Sequence, residues 1–162
     1  MRSDWKRFES IVRRAHQFTD GYSQEIANLH PFENQNIHDK LLSTVKQLFD
    51  DGHFAEATFE AFKYLDKEVQ RLSASNRSGV SLMMNVFGGA SPPMKLTSLT
   101  SQSDKDEQEG YKFLFAGSVL AIRNPRGHEF EMNDDPNTCL SHLGLVSLLL
   151  RRLEGAGYEL SP

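Results

Sequence analysis

Six consecutive residues, Arg123-Asn124-Pro125-Arg126-Gly127-His128, hold the side chains of this chain best suited to chemistry. An arginine stays charged and presents a rigid fork of donors that matches a phosphate. A histidine titrates near neutrality and can give or take a proton. The two together are what cleavage of a phosphodiester without a metal requires. RNA carries its own nucleophile, the 2′-OH. A protein must help remove that proton, stabilise the pentavalent dianion and help the 5′-oxygen leave. Arg123 is the candidate for the nonbridging oxygens and His128 for the proton. Asn124 can orient the imidazole or bond the phosphate, and Arg126 can bind substrate by adding charge. Pro125 and Gly127 stop helices, so Arg123 is expected to end one helix and His128 to hang in the turn that follows. In an unbroken helix the two side chains would splay well over a quarter-turn apart. The same six residues also read as an ordinary helix C-terminus, with arginine favourable to the helix dipole and histidine at the surface.

The elements that must carry this motif show in the apolar spacing. Residues 4–18 place Trp5, Phe8, Val12 and Ala15 at helical intervals with basic residues opposite, an amphipathic helix in an N-terminal extension over residues 1–34. The main domain is expected over residues 35–162. Its first helix spans about Ile37 to Asp50, closed by Asp51-Gly52. The next runs from about Phe54 to Ser73 on Phe54, Thr58, Ala61, Phe62, Leu65, Val69 and Leu72. Residues 74–103 are rich in Gly, Pro and Ser, with one short helical piece near Val80 to Val86. The sparse apolar content of residues 88–103 predicts a mobile flap. A helix over about Asp104 to Arg123, capped by Ser103, should bury Tyr111, Leu114, Phe115, Val119 and Ile122. Gly110, Gly117 and Ala121 then form a smooth second side for close helix approach. Asp135-Pro136 starts the last helix, to about Glu154, which is apolar nearly all round. No segment alternates as a strand does, and the expected fold is an all-α bundle of about five main helices with one long Gly/Pro/Ser-rich loop.

Several matches flank the motif in order: Asp51-Gly52-His53-Phe54-Ala55-Glu56-Ala57 leading into a helix, Phe87-Gly88-Gly89, Asp106-Glu107-Gln108-Glu109-Gly110, and Leu114-Phe115-Ala116-Gly117 running into Arg123. With them the hexapeptide resembles the R-N-x-x-x-H signature of the HEPN superfamily, and the arrangement is similar to its Ymh-type branch over roughly residues 28–157. The resemblance implies a HEPN-like helical bundle and a metal-independent endoribonuclease, acting as a toxin or effector of bacterial or phage defence. It implies Arg123, Asn124 and His128 as catalytic residues, Arg126 at the substrate, RNA as substrate and no cofactor. It also implies a homodimer whose two motifs share one cleft, with an antitoxin or sensor protein as a further partner. The other reading is a catalytically inactive helical dimerisation module that binds a partner protein or nucleotide.

Composition narrows the alternatives. Eighteen Lys and Arg against 22 Asp and Glu give a net charge of −4, which argues against blunt electrostatic adhesion to nucleic acid. Cys139 is the single cysteine, so no internal disulfide forms, and the cysteine and histidines have no zinc-site spacing. His16, His30, His38, His53 and His142 are scattered without a carboxylate at ligand spacing, so they read as structural or surface residues. The charged start is no signal peptide, and the apolar run Leu143–Leu150 is too short for a membrane span. A cytoplasmic protein without membrane association is expected.

Overall fold

Apolar side chains three and four residues apart dictate a long helix, Phe54–Ser73, which is central to the bundle of residues 37–161. The protein, seen as a computed structural model, is described over residues 29–128 and 132–161, His128 by its backbone alone. The helix expected over residues 4–18 lies outside the described residues. In chain order the helices are α1 (Pro31–Asn34), α2 (Thr44–Asp50), α3 (Phe54–Ser73), α4 (Gly79–Val86), α5 (Gln102–Ser118), α6 (Asn124–His128) and α7 (Pro136–Gly155). A 3-10 turn occupies Asp39–Leu41, and a π-helical turn, Val119–Arg123, joins α5 to α6 without a break. Among the described residues there is no strand, so the fold is all-α.

The chain divides between Asn36 and Ile37 into two units. In the first, α1 is a single turn opened by His30, whose Nδ1 accepts from the Phe32 N–H at 3.1 Å. In the second, the helix expected from Ile37 to Asp50 is interrupted. His38 stays extended, its N–H donating to Ser147 Oγ and its Nδ1 accepting from the Lys40 N–H. These side-chain bonds compete with the helical ladder, so α2 begins only at Thr44. Gly52, at φ 83°, then reverses the chain into α3.

The core lies where α3 meets α7. Phe62, Leu65 and Val69 of α3 and Leu143, Val146, Leu149, Leu150 and Leu153 of α7 are fully buried. Asp135 opens α7, accepting from the N–H groups of Asn137 and Thr138 ahead of the first-turn Pro136. The all-round apolar helix is covered on one side only, because Leu148 stays 47% exposed.

α5 turns a different face to the core than expected. Phe115 and Val119 point inward as predicted, but Leu114 is exposed, and Gln108 takes an inward position. The reason is polar. The Gln108 amide donates to Phe87 O and Met94 O and accepts from the Leu96 N–H, at 2.7–3.0 Å. Met94 and Leu96 are buried, and Arg152 donates to Leu96 O. The stretch after α4, expected as a mobile flap, is therefore strapped to the core by the Gln108 and Arg152 side chains. Its end is tied too. Ser101, not Ser103, caps α5 through a reciprocal pair of bonds with Asp104. Asp104 also accepts from Ser98 and Thr100, which holds Leu99 between them in the left-handed region at φ 59°. These donors keep the Asp104 carboxyl well below its ordinary range, the Ser98 hydroxyl first.

Candidate functional site

The motif is helical throughout. Arg123 ends the π turn and residues 124–128 continue as α6, so neither Pro125 nor Gly127 breaks the helix before His128. Two local features permit this. Pro125 has no N–H to offer, and its ring would strike the carbonyl of a regular turn behind it. The turn is widened instead, with the Asn124 N–H bonded back to Val119 O, which moves that carbonyl row out of register. Gly127 serves packing. A Cβ there would come 2.9 Å from Phe59 Cε2 of α3, closer than side chains tolerate.

A continuous helix changes the geometry expected of the pair. Five residues of α-helix rotate through about 140°, so positions 123 and 128 fall on different faces. Asn124 and His128, four apart, share one. The His128 side chain and residues 129–131 lie outside the described atoms, so the histidine is placed here by its backbone position.

Arg123 lies across α3, with its guanidinium carbon 5.3 Å from the Phe59 ring centroid. Arg123 and Gly127 thus rest on one aromatic ring. Nη1 of Arg123 donates to Asn124 Oδ1 at 3.2 Å, and the buried Nε has no hydrogen-bond partner among the described residues. A guanidinium has five N–H donors; here one is engaged among the described residues. The guanidinium is thus braced by Phe59 and Asn124 while most of its donors have no partner among the described residues.

Arg126 is the opposite case. It donates from Nε to Asp134 Oδ2 at 2.7 Å and from Nη2 to Asp134 Oδ1 at 2.6 Å, a bidentate pair with both side chains only 6% exposed. Nη1 donates to Ile122 O at 2.7 Å. This guanidinium, expected at the substrate, is consumed in fastening α6 to the segment before α7. Asp134 was not among the expected site residues, and no local spacing reveals it.

Around the pair sit groups distant in sequence. Thr58 Oγ1 reaches Asp134 Oδ2 at 3.5 Å, and His142 Nδ1 lies 3.9 Å from the same oxygen, too far for a hydrogen bond. Among the described residues that buried Nδ1 has no hydrogen-bond partner. Burial first, then the Arg126 charge, pushes the His142 pKa down, while Asp134 pulls the other way. Cys139, fully buried nearby, has its thiol pushed up to about 11 by burial and is inert at neutral pH. Sequence spacing had shown no carboxylate near His142; the fold supplies one by folding Asp134 back over the start of α7. His53 stands at the start of α3 without a side-chain capping bond. His38 Nε2 pairs with Glu154 at 3.1 Å.

A family described as "Protein of unknown function (Hypoth_ymh)" matches residues 35–153, most of the chain and the whole of this site. The chain belongs to the Ymh family. No curated protein and no solved structure matches it. The Ymh match spans α2 to the last turn of α7, so the bundle, the motif and its Asp134 clamp all lie inside the family region. Among the described residues no group of three or more His, Cys, Asp or Glu side chains converges as a metal site would, and no helix is long and apolar enough to cross a membrane.

Proposed function

We propose that this Ymh protein is a metal-independent endoribonuclease of the HEPN type, serving as a toxin or effector in bacterial or phage defence. The observation that carries the reading is the contrast between two neighbouring arginines. Arg126 is neutralised and buried by Asp134, whereas Arg123 is braced on Phe59 and Asn124 with most of its donors unspent. A braced guanidinium with open donors binds the nonbridging oxygens of a phosphate without first breaking a protein bond. The π turn sets it there, and such turns are frequent at functional sites. In this reading Arg123 stabilises the dianion, His128 transfers the proton, and Asn124, one turn before His128 on the same face, orients the imidazole or bonds the phosphate.

One Arg-His pair lacks a second proton-transfer group, and a second copy of the chain supplies it. Positions 123 and 128 fall on different faces of one helix, which suits a site completed across a twofold axis. The surface for it is present. Gly110, Phe113, Leu114 and Gly117 form an exposed small and apolar face on α5, continued by Leu120, which is 60% exposed. The same stripe favours the second reading, an inactive helical module that docks a partner protein. Expression of the wild type beside His128→Ala separates the two. Growth arrest with RNA breakdown that disappears in the variant supports the nuclease. A phenotype indifferent to His128→Ala but lost with Phe113→Asp and Leu120→Asp supports docking alone.

A further inference from the structure

α3 does more than brace Arg123. One turn beyond Phe59 on this helix stands Lys63, and one turn further Lys67. At about 1.5 Å of rise per residue these lie roughly 6 Å and 12 Å along the axis from the ring that carries Arg123. Both line a cavity of about 230 Å³ between α3 and the start of α2, with Lys40 across from them and the hydroxyls of Ser43 and Thr44 at its edge. One carboxylate, Glu60, shares the lining. Three lysines against one glutamate leave two positive charges, concentrated in one hollow of a chain whose net charge is −4.

The pairing inside the cavity leaves that charge available. Lys63 is bonded to Glu60 at 2.9 Å in an exposed i, i+3 contact, which water and salt weaken. Lys67 donates to the neutral Gln70 amide at 3.1 Å. The Lys40 ammonium has no ion-pair partner among the described residues. The basic hollow and the open guanidinium therefore lie along one helix.

The structure assigns to this cavity the backbone phosphates of the substrate strand, so that a single-stranded RNA held at Arg123 runs along α3 into the Lys40, Lys63 and Lys67 hollow. This rests on the nuclease reading and adds to it how the strand is held. Lysines act on phosphates as point charges without reading bases, so the track binds any sequence. It also accounts for how an acidic protein holds RNA, by a local stripe in place of an overall basic excess.

The test uses the full chain and a short labelled single-stranded oligouridine, methylated at every 2′-oxygen so that it cannot be cut. Its affinity is followed by fluorescence anisotropy across a salt series. Each phosphate contact on a single strand contributes about 0.7 to the slope of log affinity against log salt. The Lys40→Gln/Lys63→Gln/Lys67→Gln variant should lose roughly 2 from that slope and bind at least tenfold more weakly at low salt. On cleavable RNA its KM should rise while kcat holds, because the motif is untouched. Glu60→Gln, which removes the competing carboxylate, should bind RNA more tightly, a gain that misfolding cannot mimic. If the wild type cleaves RNA while the triple variant keeps its affinity and slope, the track is overturned and the nuclease reading stands. If the wild type neither binds nor cuts RNA, both fall. Lysine-dependent binding of polyglutamate, with none of RNA, makes the hollow a dock for an acidic protein and overturns the assignment. Equal competition by inorganic phosphate at the same ionic strength for wild type and triple variant also overturns it.

Discussion

Removing Asp134 should be among the most damaging single changes in this protein. Asp134→Ala leaves the Arg126 guanidinium buried, with both side chains of the pair 6% exposed and bonded at 2.7 and 2.6 Å, and Ile122 O as its one remaining partner among the described residues. Breaking a buried pair from one side costs about 3–5 kcal/mol, since the stranded charge cannot reach water. That is a fifth or more of the roughly 5–15 kcal/mol that holds a domain folded. Replacing both partners by apolar residues of similar volume is about neutral by comparison. Urea unfolding of Asp134→Ala, Arg126→Met and Arg126→Met/Asp134→Leu forms the experiment. Both single variants should shift the midpoint strongly at constant slope, and the double variant should recover most of the loss. Single changes that cost under about 1 kcal/mol, typical of an exposed pair, would refute the buried clamp. Recovered stability with RNA binding abolished in the double variant would return Arg126 to the substrate, where the sequence pattern had put it.

Three further outcomes are expected. Gly127→Ala should move Phe59 and with it Arg123, lowering activity and stability by about 1–2 kcal/mol, whereas Gly144→Ala, with open space at its Cβ, should stabilise by up to about 1 kcal/mol; equal effects in thermal unfolding would contradict the close contact. His142 carries a lowered pKa, so it binds its proton more readily unfolded than folded. Stability should therefore fall as pH drops below about 6.5 toward the lower folded value, and His142→Gln should flatten that slope in pH-dependent urea midpoints. Gln108→Ala should cost about 2–4 kcal/mol by stranding Phe87 O, Met94 O and the Leu96 N–H, and the Leu96 amide, slow to exchange in the wild type, should exchange fast in the variant; rapid exchange in the wild type would restore the flap.

The parts of the fold legible in the sequence are those set by local repetition. α3 has the bounds its 3–4 spacing indicates, and α7 starts at the Asp135-Pro136 signal. The errors share a cause, which is that polar groups acted over long sequence distances. The bond from the His38 N–H to Ser147, 109 residues away, shortened α2. Gln108, absent from the expected apolar stripe, turned inward because distant loop backbone needed partners, which rotated α5 and exposed Leu114. Pro125 and Gly127 are helix breakers by type, yet a widened turn accommodates the proline and an aromatic ring across the bundle explains the glycine. At the site, the residue types of the motif were readable, but their division of labour was not. Only the fold shows that Asp134 neutralises one arginine and leaves the other open.

The central claim is that Arg123 and His128 cleave RNA without a metal, and one assay meets it directly. Purified wild type, Arg123→Ala and His128→Ala are each incubated with single-stranded RNA in EDTA, and the product ends are analysed. Fragments ending in a cyclic phosphate from the wild type alone, with both variants folded and inactive, are the expected result. Cleavage that EDTA abolishes, or that persists in either variant, would contradict it.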